Sequence, residues 1–445
     1  MSKRLTRFLS LFAALTLVLA ACGDGEGSGT TVTGDTTGDT TGDTTGDTGT
    51  PAEDPLGTVT IADGEAIQIR SLNAISGDTA TLGIPNQNAV QLAIADYGPI
   101  HEHEVDMGTG LDDLCSNEGG QAAAQTIVAD EQVLGVIGTS CSGAATAASP
   151  LISDAGMVMI SPSNTSPALT SDLQGTAGTD YHPGYYRVAH NDLFQGQAVA
   201  EFVFNELSLT TAAGIHDGDP YTQGLAQAFA DAFEELGGTV TGITAVNKGD
   251  TDMVPVLTEV ASNSPEALYF PIFPPEGNFI AQQVGGVEGL ADTTLLAADG
   301  MLVENFLEIP ESEGVYFSGP SLQFGENANE VTGVSATDFL ATYEEEFGEA
   351  PTAAFWAHAY DSTVLLLSAI DEVAVDNGDG TLTVGRQALR DAINGLTFNG
   401  LTGAINCDDF GDCGAQEIQI VEHPDSSITD STQLEVVYSF KGEVD

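Results

Sequence analysis

The sequence predicts an α/β protein of two doubly wound lobes, and three observations carry that prediction. Short continuous apolar runs alternate with amphipathic stretches along the whole body of the chain, which is how strands buried on both faces of a parallel sheet and their covering helices read. Several amphipathic stretches end in glycine, the residue that most readily terminates a helix. Some 390 of the 445 residues (445 − 55) lie beyond Pro55, a length that suits two cores better than one.

The front of the chain reads as a leader and a stalk. MSKRLTRFLSLFAALTLVLAAC has a basic start (Lys3, Arg4, Arg7), an apolar stretch from Phe8 to Leu19, and small residues leading into Cys22. The apolar stretch falls short of the ~20 residues a bilayer span needs, so residues 1–21 read as a secretory signal peptide. Leu19-Ala20-Ala21-Cys22 is similar to a bacterial lipobox, which makes Cys22 the expected lipidated first residue of the mature chain; an ordinary cleaved signal with an incidental cysteine is the alternative. No other stretch is apolar enough to cross a membrane, so attachment is expected through the N-terminal lipid only, with the body extracytoplasmic. Residues 22–64, with a repeating Thr-Gly-Asp-Thr unit, are too polar to offset the entropy of ordering and read as a disordered tether. The repeated aspartates offer no preformed calcium cage.

In the body, residues 66–74, 133–138, 157–161, 211–216, 267–272 and 293–299 read as buried parallel strands. NQNAVQLAIADYG, NEGGQAAAQTIVADEQ, FQGQAVAEFVFNEL and YTQGLAQAFADAFEELGG read as the intervening helices. In open sheets of this kind ligands bind beyond the carboxyl ends of the strands.

Apart from Cys22, four cysteines remain: Cys115, Cys141, Cys407 and Cys413. An even count in an oxidising compartment reads as two disulfides with three possible pairings. The short NCDDFGDCG loop makes Cys407–Cys413 the natural local pair, which leaves Cys115–Cys141. The charge is extreme, 9 basic against 66 acidic residues for a net −57; without Lys3, Arg4 and Arg7 it is 6 − 66 = −60. Nucleic acid and anionic membrane surfaces are thereby excluded as partners. A saline habitat that screens the self-repulsion is the economical explanation, with an organism-wide acidic bias as the other.

The strand ends collect one set of chemistry. After 133–138 come Ser140, Cys141 and Ser142 at the head of a helix, and after 157–161 come Ser163, Asn164 and Thr165. Hydroxyls and unpaired N–H groups at a helix start hold a carboxylate without Lys or Arg. Asp299 ends the run 293–299 and suits an ammonium group, while Tyr221 and Phe273 follow two other strands as apolar walls. Together they describe a neutral, zwitterionic amino acid. Singly, the hydroxyls are also good helix caps, Asp299 a turn residue, and the aromatics ordinary core.

Enzyme and metal readings are weaker. GTSCSG misses G-x-S-x-G because Ser142 stands where the second glycine belongs, and a bridged Cys141 is no nucleophile. The late histidines do not follow apolar strands: His358 lies in a helix pattern, and His423 lies beside Pro424 near an exposed end. HEHEVD places His101 and His103 on one face of an extended segment, two ligands at best. DNGDGT at 376–381 lacks the second oxygen ligand and the closing glutamate of a calcium loop, and reads as a turn ahead of the helix in VGRQALRDAING. No cofactor and no metal are expected.

From about Ala66 to Val421 the chain resembles the type I periplasmic binding proteins of branched-chain amino acid ABC transporters. The resemblance rests on LNAISGDTATLG, Cys115 ahead of a helix, IGTSCSGAATAASP, MVMISPSNTSPALT, IHDGDPYTQGLAQAF, LYFPIFPPEG, LLAADG and FWAHAYDS. It implies two lobes joined by three crossovers near 188, 318 and 414, closing on the ligand by hinge motion: residues 65–188 plus 319–413 as one, 189–318 plus 414–445 as the other. It also implies that Ser142 and Thr165 bind the ligand's carboxylate and amino group with Ser163 contributing backbone, that Asp299 holds the ammonium, and that Tyr221 and Phe273 line the pocket. The chain departs from the family at two of these positions and at Leu82. Asp299 stands where leucine-type binders have glutamate, Phe273 where tyrosine is common, and Leu82 where some members put an aromatic wall. The expectation is a monomeric binding protein, not an enzyme, that delivers a small neutral or branched-chain amino acid to ABC permease subunits. The alternatives are another small ligand (an amide, urea or an aromatic acid) and a sensory lipoprotein.

Overall fold

A computed structural model describes residues 54–442; the leader, Cys22 and the tether up to residue 53 lie outside the described residues. Two main sheets organise the rest. The first runs in the order Val105–Asp106, Ile67–Asn73, Val133–Gly138, Val158–Ser161, Tyr185–Arg187, all parallel. The second has a parallel part in the order Thr239–Ala245, Thr211–His216, Ala267–Tyr269, Thr294–Ala298, Tyr316–Pro320. It is extended by two antiparallel strands, Glu417–Glu422 and Glu435–Lys441.

The two parallel sets share one order. Numbered by their own sequence, each reads 2-1-3-4-5. In that order the connections from the first strand lead to opposite sides, which opens a crevice between the first and third strands at their carboxyl ends. The apolar runs are buried as their composition demands: all six residues of Val133–Gly138 and all four of Val158–Ser161 are buried. The helix Trp356–Val373 packs its apolar face on the first sheet, and Pro220–Glu235 packs on the second.

The chain passes from one sheet to the other three times: after Arg187, after Pro320, and before Glu417. Arg187 and Asp412 form a buried ion pair beside these passages. Asn191 Nδ2 also donates to Asp412, and the Asn191 amide donates to Gln416 Oε1.

Three local expectations need correction. The tether gives way before residue 64, because Thr58–Ile61 forms a strand against Leu382–Gly385 and buries Val59 and Ile61. HEHEVD is not extended: His101 (φ 47°) and Glu102 (φ 70°) turn the chain. His103 is buried against the carbonyls of Glu65 and Gly380, while His101 faces Asp371. His423 follows the strand Glu417–Glu422 directly and is fully buried, its Nδ1 3.0 Å from Ser312 Oγ. DNGDGT is a turn ahead of the helix Arg386–Gly395, as expected, and it lies between two short strands, Val375–Asp376 and Leu382–Gly385.

Candidate functional site

The crevices of the two sheets face a shared cavity, closed down to about 20 Å³. Its lining comprises Leu82, Ser140, Cys141, Ser142, Ser163 and Phe355 from the first-sheet side, and Tyr221, Phe273, Asp299 and Gly300 from the second. A larger open groove of about 550 Å³ lies elsewhere, around Asp172, Leu193, Gln197 and Glu235. No strand ends converge on it, so the smaller cavity is where topology places a ligand.

Gly138 shapes the first-sheet side. Its φ is +140° and a Cβ there would fall on the Leu72 carbonyl, so glycine alone lets the chain leave the strand toward Thr139 and Ser140. Asp113 then fixes the loop from behind, with Oδ2 accepting from the Ser140 amide at 2.7 Å and Oδ1 from the Cys115 amide at 2.7 Å. Burial raises the Asp113 carboxyl to about 7 despite those donors. Cys115 is bridged to Cys141, and Cys407 to Cys413.

The hydroxyls differ in what they have left to offer. Ser140 Oγ donates to Asn73 Oδ1 and accepts from the Ala74 amide, both at 3.0 Å. Ser163 Oγ donates to the Ser140 carbonyl at 3.1 Å. Ser142 Oγ accepts from the Ser166 amide at 3.3 Å and keeps its own proton to donate. Ser142 also begins the helix Ser142–Asp154, whose first N–H groups have no partner within the helix. This end of the cavity is therefore an anion site without Lys or Arg, made of one hydroxyl and a helix start whose Gly143 already faces the Asp219 carboxylate.

The second-sheet side is built around a carboxylate. Asp299 is 5% exposed and its Oδ1 accepts from Gln195 Nε2 at 2.8 Å and Tyr221 Oη at 3.3 Å. Burial raises its carboxyl to about 6, opposed by the Gln195 and Tyr221 hydrogen bonds. Gln195 Nε2 also reaches the Ser318 carbonyl and hydroxyl at 3.1 and 3.0 Å, and its Oε1 lies 2.6 Å from His190 Nε2. An amide oxygen only accepts, so His190 carries its proton on Nε2. Burial lowers His190 to about 4, which keeps it neutral at pH 7. Its ring stacks on Phe355, with centroids 6.2 Å apart. Asp192 is also fully buried, and burial followed by the nearby Asp299 charge pushes its carboxyl well above the usual range.

Of the residues singled out in the sequence, Leu82, Ser140, Cys141, Ser142, Ser163, Tyr221, Phe273 and Asp299 meet around the cavity. Asn164 and Thr165 are not among its lining residues. Asn164 is buried behind it, bonded to Thr139 and Tyr185; the Thr165 hydroxyl is buried close to Asp192. Phe355, Gly300, Gln195 and Asp192 went unnoticed as site residues. Phe355 lay within the recognised FWAHAYDS stretch. Gln195 and Asp192 sit on a helix whose pattern announces only amphipathicity. The serine partners found here are main-chain amides, carbonyls, Asn73 and Asn86, none of them a histidine, and the buried pair Ser312–His423 belongs to a different part of the fold. Among the described residues no group of three or more His, Cys, Asp or Glu could hold a metal ion.

The comparisons with known proteins agree with this fold. An amino acid binding protein of Pseudomonas aeruginosa is 28% identical over 214 residues, which is 48% of this chain and 54% of that protein; the chain thus matches about half the length of that relative. The crystal structure of a leucine binding protein from Thermotoga maritima superposes with a TM-score of 0.71 at 26% identity, covering 84% of this chain and 99% of that one. A solute binding protein of an ABC transporter from R. palustris, solved in complex with benzoate, shares the fold at a TM-score of 0.69 and 16% identity, covering 85% and 98%. The family model for periplasmic binding proteins matches residues 66–422. The chain belongs to the periplasmic binding protein family, of the type that includes the leucine-, isoleucine- and valine-binding proteins.

Proposed function

We propose that this chain captures a small neutral amino acid with an apolar side chain outside the cytoplasm and delivers it to the permease of an ABC importer. The observation that carries the reading is the pairing across one cavity of an uncharged anion site at Ser142 with the carboxylate of Asp299. A zwitterion losing water at both ends needs a partner for each. Leu82, Phe273 and Phe355 supply the apolar wall for its side chain. In this reading the lobes are residues 65–188 plus 319–413 and 189–318 plus 414–445, and the protein acts as a monomer tethered by a lipid on Cys22. The Cys22→Ala variant should then leave the membrane fraction while its cavity still binds ligand.

A second reading, an aromatic or aliphatic acid, is favoured by the apolar walls and by the benzoate-bound neighbour of the same fold. Isothermal calorimetry with L-leucine, L-valine and benzoate separates the two. The amino acids should bind and benzoate should not, because benzoate leaves Asp299 buried without a cation. Tight benzoate binding with no response to amino acids would replace the first reading by the second.

A further inference from the structure

The mouth of the cavity carries contacts that ligand recognition does not use. Basic residues number six among the described residues, and one of them, Lys248, stands in the loop after the strand Thr239–Ala245 on the second-sheet side. Its Nζ lies 3.9 Å from Asp217 Oδ2 and 3.8 Å from Asp219 Oδ2. It is 5.8 Å from the centroid of the Phe273 ring, over which it forms a lid. It also donates across the mouth to the Cys115 carbonyl at 3.4 Å, on the first-sheet side.

Both partners are shaped for this contact. Leu114 and Cys115 have positive φ (52° and 45°), and the disulfide and the Asp113 carboxylate hold the turn in place. Asp219 makes a second crossing. Its Oδ1 caps the helix Pro220–Glu235 through the Tyr221 amide at 3.0 Å. Its Oδ2 also lies against Gly143, at the start of the helix Ser142–Asp154 on the other side. A Cβ on Gly143 would fall on Asp219 Oδ2, so glycine is required for the approach. A carboxylate at a helix start is favourably placed. Both contacts join loops of different sheets, and both can exist only while the cavity is closed.

We propose that Lys248 and Asp219 form a clasp between the two sides of the cavity that sets how long a bound ligand is held. Without Lys248 the buried carboxylates of Asp217 and Asp219 lose their cation in the closed state, whereas the open state exposes them to water. The clasp has to open before a bound ligand leaves, so it acts on dissociation more than on association, and it biases the unliganded protein toward the closed form as well. The Lys248 side chain is 47% exposed, so dissolved salt screens it and weakens the clasp.

The kinetic part rests on the amino-acid reading above; the closure part does not. Stopped-flow measurement of L-leucine dissociation, followed by the fluorescence of Trp356 next to the Phe355 wall, should give a rate about tenfold faster in Lys248→Met, with association changed less than about twofold. Lys248→Arg should stay close to the wild type, and Asp219→Asn should move in the same direction as Lys248→Met. Small-angle scattering without ligand should show a larger radius of gyration for Lys248→Met than for the wild type. A wild-type dissociation rate or an unchanged radius in Lys248→Met overturns the clasp. If L-leucine gives no signal with the wild type, the amino-acid reading fails and the scattering comparison alone decides the clasp.

Discussion

On the first-sheet side, the loops that meet the cavity offer a hydroxyl and main-chain N–H groups; on the second-sheet side, the loops of an equivalent strand order offer a buried carboxylate braced by Gln195 and Tyr221. The topology is the same twice, and the chemistry is opposite. A crevice at a strand-order switch only provides a place where loops converge. What it recognises depends on which polar group each loop end leaves unpaired. At Ser140 and Ser163 the polar atoms are consumed by neighbouring loops, and at Ser142 a donor remains. At Asp299 the carboxylate is restrained but keeps a charge to neutralise.

The largest effect should come from erasing the charge on the second side. Asp299→Asn is expected to weaken L-leucine binding by about 2 to 5 kcal/mol, as when one member of a buried charge pair is truncated, read by calorimetry against the wild type. Unchanged affinity would mean that the two sides do not differ in the way described.

A pH series sharpens the same contrast. Burial raises Asp299 to about 6, and an ammonium prefers the ionised form, so affinity should be flat above that pH. Below it, affinity should fall about tenfold per pH unit as the empty site is protonated. The effect on the unliganded fold has the opposite sign. A buried acid with a raised folded-state value binds its proton more readily folded than unfolded, so its penalty is full above about 6 and disappears as pH falls below the ordinary 3.8. Asp113, raised to about 7 on the first side, adds to that stability trend without touching the ligand. Affinity that does not change between pH 7 and 5 would contradict the assignment of Asp299 to the ammonium.

A smaller effect is expected on the first side. Ser142→Ala should cost about 1 to 2 kcal/mol of affinity, since the helix start still holds the carboxylate after the hydroxyl is gone. A loss equal to that of Asp299→Asn would show that the hydroxyl, and not the helix, supplies the anion site. Salt should act on both sides alike. With 66 acidic residues against 9 basic, the melting temperature should rise from 0.01 M to molar salt as the Debye length shrinks from ~30 to ~3 Å. A flat melting curve would remove the reason to connect the acidity with screening.

Much of this was legible in the sequence because parallel strands buried on both faces are continuous apolar runs, and the ligand loops follow them directly. The runs at 133–138 and 211–216 appear as strands with those bounds. Thr239–Ala245 went unseen because it is a half-exposed edge strand without an apolar run. The antiparallel strands that end the second sheet lie outside the βαβ alternation altogether. Gln195 and Asp192 were hidden because their roles depend on a hinge passage that brings a helix start against Asp299, a distance of 104 residues in sequence for Gln195. His423 was misread because a proline neighbour suggested an exposed end, whereas the residue closes a buried contact with Ser312.

The central claim is that the cavity reads both charged ends of one ligand, and the most direct test is a charge scan of the ligand on the unaltered protein. L-leucine, L-leucinamide and 4-methylpentanoate share a side chain and differ in which charged end is present. Calorimetry should show L-leucine binding far more tightly than either, with 4-methylpentanoate weakest because Asp299 is then buried without a cation. Binding of 4-methylpentanoate as tight as that of L-leucine would contradict the account.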